Sequence, residues 1–435
     1  MKKKSIYGLV VCFLSIILII LAWNYRQKNK PIVLEFGMFA ESNWDVKNAN
    51  AYVIIDDAIK KFEKEHPGVK VHYETGIRKE DYSEWLDRKI LEGETPDVFM
   101  VLSDDFYKYV SLNVISDLDN QIANDRNFKK EYFFDTVLDI GKYHESQYAL
   151  PYEVVPTLMF VNKTLLEQEG IEVPNENWTW STMEQIVDQI TKDKNGDGVI
   201  DQFGTYNYTW KEAVYSNGAE LFDKDGKKAF FSGTKVNEAV KFVKKLNEMN
   251  GGREVTQNDF DSGNVAFMPL AFSEYRTYKT YPYKIKKYTS FQWDCTSMPA
   301  GPGGHNTSEV DALLMTIGNK SKHKELAWEF LKMLTSDSSI QREIFEYSQG
   351  ASVLKYVTGS RYAESMIRKD VDERVIDNRL LIDAIENGRI NPKFSKYPEA
   401  MALAENEIDD IYKNEKNIDS SLKVFQRSIT KFLNQ

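Results

Sequence analysis

From Pro31 onward, short apolar runs of strand composition alternate with amphipathic helical stretches, and that alternation restricts the fold most tightly. Ile32–Met38 alternates in character as a strand does, and Ala51–Glu65 sets Tyr52, Ile55, Ile59 and Phe62 near helical spacing. Val69–Tyr73 reads as a strand, Ser83–Glu92 as a helix, Val98–Leu102 as a strand between Pro96 and Ser103, and Asp104–Val110 as a helix. Strands and helices in such alternation build a sheet covered on both faces, which makes the class α/β. The 435 residues predict two or three domains, and 42% hydrophobic residues suffice for large cores without disulfides.

The stretch Gln147–Gly204 carries the densest local signals. Tyr148–Tyr152 looks like a strand arriving at a break, because Pro151 and Pro156 cannot donate to a central ladder. Thr157–Val161 has strand composition, and a short helix Lys163–Glu169 stops at Gly170. Ser181 or Thr179 is placed to cap the next helix, with Glu184 set for a capping box and Trp180 for a hydrophobic staple. Asp193-Lys194-Asn195-Gly196-Asp197-Gly198-Val199-Ile200-Asp201 closes the stretch as an oxygen-rich loop.

In order and spacing these features resemble the extracellular solute-binding proteins of bacterial ABC importers, in the group that mostly carries sugars and oligosaccharides. The pattern is tyrosine, a small residue and Leu-Pro, then an apolar strand ending in Asn-Lys, a helix ending in Gly, Thr-Trp and an Asp/Asn-Gly loop. Phe62–Val71, Gly93–Phe99, Ser262–Met268, Pro299–Gly304 and Ser321–Leu334 extend the likeness over roughly residues 32 to 356. It implies two lobes, each a sheet flanked by helices, with a hinged cleft between them and a helical C-terminal tail. Asp139–Leu150 is expected to carry the chain into the second lobe and Val265–Phe272 to bring it back. The expected division is 31–148 plus 269–318 for one lobe and 149–268 plus 319–435 for the other. Clefts between domains are where small ligands bind.

Ahead of the lobes, Lys2, Lys3 and Lys4 precede Ile6–Trp23, an uncharged run of 18 residues. As a helix it is roughly 27 Å long, close to the hydrocarbon thickness. A cleaved signal peptide would want a shorter core and small residues at the exit, which Ile20-Leu21-Ala22 does not offer. A lipidated cysteine would follow the apolar run, whereas Cys12 precedes most of it. Of the three, a retained membrane anchor fits residues 1–30 best. Basic residues flank both sides, so charge alone orients the helix poorly; the resemblance places the bulk of the chain outside the cell, as a monomer. Past the anchor the single thiol is Cys295, which cannot form an internal disulfide.

The formal net charge of -10 argues against nucleic acid as a partner. Five scattered histidines form no H-E-x-x-H, no G-x-S-x-G is present, and Gly301–Gly304 lacks the Lys-Ser/Thr of a phosphate loop. The chain therefore reads as a binder, not an enzyme. The expected function is capture of a carbohydrate by hinge closure and delivery to an ABC permease. The alternatives are an anchored receptor of the same fold, a non-sugar solute and, remotely, a glycan hydrolase.

The aromatic inventory of 8 Trp, 24 Tyr and 24 Phe suits sugar faces, although most must be core. The resemblance singles out Trp44 with Glu41 and Asp45 after the first strand, and Asp104 after the third. It also picks Tyr152 and Glu153 after Leu-Pro, Trp210 in the second lobe, and Phe272, Glu274 and Tyr275 after the return strand. Glu309 and Asp311 stand where many relatives have a glycine pair, so no role is assigned to them. Trp178, Trp180, Trp293 and Trp328 read as packing residues. Asp193, Asn195, Asp197 and Asp201 occupy positions 1, 3, 5 and 9 of a calcium loop, with the Val199 carbonyl at position 7. Position 12 is Gly204 in place of the bidentate glutamate, and Gln202 is the nearest substitute. The expectation is a structural calcium ion away from the cleft, and no organic cofactor.

Overall fold

The computed structural model describes residues 31–40, 42–44, 50–280, 291–370 and 378–435. The expected anchor, residues 1–30, lies outside the described residues, as do Glu41 and Asp45. No helix among the described residues is long and apolar enough to cross a membrane.

Eleven strands are described: β1 (Ile32–Gly37), β2 (Val69–Tyr73), β3 (Val98–Val101), β4 (Lys142–Tyr143), β5 (Ser146–Gln147), β6 (Leu150–Asn162), β7 (Phe203–Thr205), β8 (Val265–Ala271), β9 (Trp293–Thr296), β10 (Val310–Ile317) and β11 (Ala351–Ser352). Strand β6 holds the architecture together. Its first half pairs with β10 and β11, and its second half with β8 and β9. The first lobe's sheet therefore runs β2-β1-β3-β10-β6, and the second lobe's continues from β6 to β8 and β7. Helices cover both, and the result is the expected two-lobed α/β fold.

The break expected at Pro151 and Pro156 does not occur: β6 continues through both for 13 residues. Each proline sits where the ladder has no need of its missing donor. Pro151 faces the bulge between Leu313 and Leu314, and Pro156 is the last residue paired with β10. At Thr157 the partner changes to Ala271 of β8, so the prolines mark the transfer from one lobe's ladder to the other's.

The crossing points differ from expectation for the same reason. The chain leaves the first lobe along β6 itself, after the β4–β5 hairpin. Strand β8 remains paired to the second half of β6, and it is β10, antiparallel to both β3 and β6, that re-enters the first lobe.

The tail also divides. Trp328, Phe330, Leu331, Ile344, Phe345, Ile367, Leu381 and Ile385 join the core around Leu34, Phe36 and Phe62, whereas Phe394, Ala404, Ile408, Leu422, Phe425 and Ile429 join the core around Trp180, Phe231 and Val243. Phe330 packs edge-on to Phe36 at 5.5 Å and against Phe62 at 5.1 Å. Helices between Lys324 and Glu386 thus share the core of residues 31–148, and among the described residues of the tail the last two helices are the ones that cover the second lobe.

Thr179, not Ser181, caps the helix Trp180–Ile190, accepting from Thr182 N, while Glu184 pairs with Lys245. Trp180 stacks on Phe242 at 4.3 Å and 6°. Trp178 and Trp328 are buried with their indole N–H groups bonded to Ser297 O and Asp125. Across the rim, His144 Nε2 at the β4–β5 tip stands 3.7 Å from Asp225 Oδ1 of the second lobe.

Candidate functional site

Strand β10 begins at the junction of the lobes, and alternation puts the side chains of Glu309 and Asp311 on one face of its entry. Glu309 carries an ion pair to Lys211 at 3.0 Å and accepts from Asn391 Nδ2. The Asn391 carbonyl oxygen accepts in turn from Tyr215 OH at 2.8 Å. Lys211 and Tyr215 lie four residues apart on the helix Trp210–Ser216, so they share a face. Asp311 accepts from Ser103 Oγ at 2.8 Å, at the start of the helix Ser103–Ser111. The first lobe, the hinge and the second lobe each supply polar groups to this one cluster.

Burial governs its electrostatics. It pushes the Asp311 carboxyl up, with the Ser103 hydroxyl partly offsetting, and Glu309 adds to the rise. Burial likewise holds Lys393 down to about 7 against the pull of Asp311 and Asp139. Lys211 goes the other way: the Glu309 carboxylate outweighs burial and raises it. Tyr397, beside Tyr215, is pushed up to about 12 by burial, and Asp104 across the cleft adds to that. The cluster mixes donors, acceptors and phenol rings, a set suited to a polyhydroxylated ligand.

The expected ligand residues spread over three environments. Asp104 is exposed in the first turn of its helix, next to Ser103 of the cluster, and its charge adds to the rise of Tyr397. Trp44 is half-buried against the first core, and its indole N–H is sealed from water without a partner at bonding geometry, though near enough to Glu153 to favour its ionised form.

Tyr152 and Glu153 are 1% and 3% exposed. Glu153 Oε1 accepts from Ser348 Oγ at 2.6 Å and Gly350 N at 2.5 Å. A Cβ at position 350 would fall 2.4 Å from that oxygen, which is why glycine stands there. Burial raises the Glu153 carboxyl, and these donors with Trp44 and Arg276 counter it. Arg276 Nη1 donates to Ser348 O and Gly350 O, and Nη2 to Phe345 O at 2.6 Å. Glu153 is therefore part of a hinge brace linking β6, the helix Phe272–Thr280 and the turn after Tyr347.

The remaining expected residues pack. Trp210 is 5% exposed in the second core with its ring 6.3 Å from Phe231. Phe272 and Tyr275 are buried and stacked at 6.2 Å. Glu274 is exposed and accepts from Ala271 N at 2.9 Å, capping its own helix. Among the cluster's members, sequence reasoning missed Ser103, Lys211, Tyr215, Asn391, Lys393 and Tyr397. Lys211 follows the chosen Trp210, and helical phase then reaches Tyr215; the Asn391-Pro392-Lys393 turn was legible only as an interruption in a helical tail.

In the 193–201 loop the carboxylates turn onto the loop's own backbone. Asp193 accepts from the N–H of Gly196, Asp197 and Gly198, Asp197 from Val199 N, and Asp201 from Lys194 N. The backbone donors hold the Asp193 carboxyl down, chiefly Gly198. Gln202 is buried and donates to Ile190 O and Glu169. The donors are hard oxygens of the kind calcium takes, but among the described residues no three acidic, His or Cys side chains converge to metal-binding distance.

Comparison with known proteins agrees with this architecture. The chain is 26% identical over 290 residues to a protein of Brucella abortus (strain 2308) described as a binding protein, covering 64% of this chain and 67% of that one. An ABC substrate-binding protein of Listeria monocytogenes, solved with cycloalternan, superposes with a TM-score of 0.70 at 18% identity, covering 93% of this chain and 99% of that one. The sugar-binding protein MalE of Xanthomonas citri superposes with a TM-score of 0.75 at 16% identity, covering 92% and 97%. Residues 48–340 match the bacterial extracellular solute-binding proteins, and the chain belongs to that family.

Proposed function

We propose that this protein captures a carbohydrate, in particular an oligosaccharide, outside the cell and hands it to the permease of an ABC importer. The observation that carries the reading is the cluster at the hinge: Ser103 and Asp104 from one lobe, Glu309 and Asp311 from the connecting strand, and Lys211, Tyr215, Asn391 and Tyr397 from the other. A ligand that bonds groups on both lobes stabilises the closed form by the difference in its contacts with the two states. Solved relatives of this fold hold sugars, among them cycloalternan and mannotriose.

Titration calorimetry with neutral oligosaccharides tests this. One glycan class should bind, and Glu309→Gln, which loses the Lys211 pair, should weaken it about tenfold. No binding across glucans, mannans and xylans would move the ligand to another class of solute. Loss of uptake on deletion of the protein separates delivery from a sensing role. In the same reading the protein works as a monomer, tethered by residues 1–30, and the 193–201 loop opens its carboxylates onto a structural calcium ion.

A further inference from the structure

The helices Lys79–Glu92 and Ser103–Ser111 run side by side in step. Ser83 Oγ donates to Asp105 at 2.5 Å; one turn on, Asp87 accepts from Lys108 Nζ at 3.1 Å and from Tyr109 OH at 3.0 Å. One further turn brings Leu91 level with Leu112, the residue that ends the second helix. They are 88% and 66% exposed, the two most exposed large apolar side chains among the described residues. A single exposed leucine is ordinary, but two side by side at the end of a lobe make a patch.

The turn after β10 borders that patch. Asn319 N donates to Val114 O at 2.8 Å and its Nδ2 to Asn113 O at 3.2 Å, while Gly318 N donates to Asp97 O at 2.9 Å. Lys320 and Lys322 follow at once, both exposed and without an ion pair among the described residues. Glu94 is paired with Lys89 at 3.2 Å, and Glu92 and Asp117 are the exposed acids nearby.

Where the chain enters the fold decides what covers this face. Strand β1 runs parallel to β3 with Phe36 opposite Val98, so Pro31 stands at the end where Leu91 and Leu112 lie. Residues 24–30 join the apolar run to Pro31 and span at most roughly 25 Å; they include Arg26, Lys28 and Lys30 and no acid. The other end of β3 leads to Ser103 and Asp104 of the cluster, so contact at this end leaves the cleft open to solution.

We propose that Leu91, Leu112, Lys320 and Lys322 form a lipid-docking face, the leucines entering the interface of an anionic phospholipid bilayer and the lysines meeting its headgroups. The inference rests on the tether reading of residues 1–30 and goes beyond it, from a chain held near the membrane to one seated on it in a fixed orientation. Two leucines and two lysines bind lipid weakly by themselves, and the tether makes the contact intramolecular. The same weakness lets the protein lift away again.

The test uses full-length protein in nanodiscs of phosphatidylcholine and phosphatidylglycerol, in a Cys12→Ala, Cys295→Ala background. An environment-sensitive fluorophore is attached through Leu112→Cys or, as a control in the other lobe, through Val424→Cys, a site 65% exposed. Lipids with spin-labelled chains should quench the fluorophore at position 112 several times more strongly than the one at 424. Leu91→Ser with Lys320→Glu and Lys322→Glu should bring position 112 down to the level of 424. Salt at about 1 M, where the Debye length is about 3 Å, should act in the same direction. Leu91→Cys carries the label if the 112 variant does not fold. Equal, weak quenching at both sites in protein that stays with the discs overturns the docking face and leaves the tether standing. Shielding of position 112 that deepens with protein concentration and not with lipid also overturns it, in favour of a second copy on this face. Protein that washes off the discs at alkaline pH overturns the tether reading and this inference with it.

Discussion

Replacing Arg276 by Met should be among the most damaging single changes in the hinge. The guanidinium is 2% exposed and donates to the carbonyls of Phe345, Ser348 and Gly350 at 2.6, 2.9 and 3.2 Å, while its charge favours ionised Glu153. Met fills much of the same volume, so cavity formation is minor and the loss is polar. Three carbonyls lose a charged donor, and Glu153 keeps only Ser348 and Gly350 as bonded partners. Removing one partner of a buried ionic network costs about 3–5 kcal/mol, which for lobes of this size is a fall of roughly 6–20 °C in Tm at about 2–4 °C per kcal/mol. Glu153→Gln in the same background should recover more than about 1 kcal/mol, since no unpaired charge then remains. Urea denaturation at pH 7, followed by tryptophan fluorescence in the four members of the cycle, measures both. A loss below about 1 kcal/mol for Arg276→Met, or strict additivity with Glu153→Gln, would refute the brace.

Glu343 gives a pH-dependent prediction of definite sign. Burial, with Asp57, Glu346 and Asp337 nearby, pushes its carboxyl up to about 7 from 4.5. The folded state then holds the proton more tightly than the unfolded state, so this residue's penalty is absent below about pH 4.5 and grows as pH rises to 7. Its partial exposure screens the effect to about 1 kcal/mol; Glu343→Gln should stabilise by that amount at pH 8 and flatten the slope between pH 4.5 and 7, and an unchanged slope counts against it. Phe330→Ala should cost about 3–5 kcal/mol as a cavity between Phe36 and Phe62, with amide exchange accelerating in β1 and in the helix Ala51–Glu65 before the second lobe. Exchange rising first in the second lobe would contradict the placement of the 324–386 helices. Millimolar calcium should raise Tm by a few degrees over chelator, an effect lost in Asp193→Asn; identical melts in both buffers would remove the ion from the 193–201 loop.

What the sequence made legible follows from range. Periodicity located the strands and helices of residues 31–110 because each is set by its own apolar spacing, and Thr179 with its neighbours announced a helix start that a local hydrogen bond completes. The prolines of β6 misled because a ladder's demand for a donor depends on which strand lies opposite. At Pro151 the partner is bulged, and at Pro156 it is about to change, neither of which is written near residue 150. The tail misled similarly, since an amphipathic helix displays its apolar face without naming the core that takes it. The site shows the sharpest limit. Trp210, Phe272 and Tyr275 were attractive as rings, yet large apolar surface is most stable inside a lobe, and there they pack. The groups that converge on the cleft are small or charged, come from segments as distant as Ser103, Lys211, Glu309 and Lys393, and share no spacing. Only the crossing of β10 between lobes brings them together. Glu309 and Asp311, to which the sequence assigned no role, hold the cluster together because buried acids need partners, and Lys211, Asn391 and Ser103 are those partners.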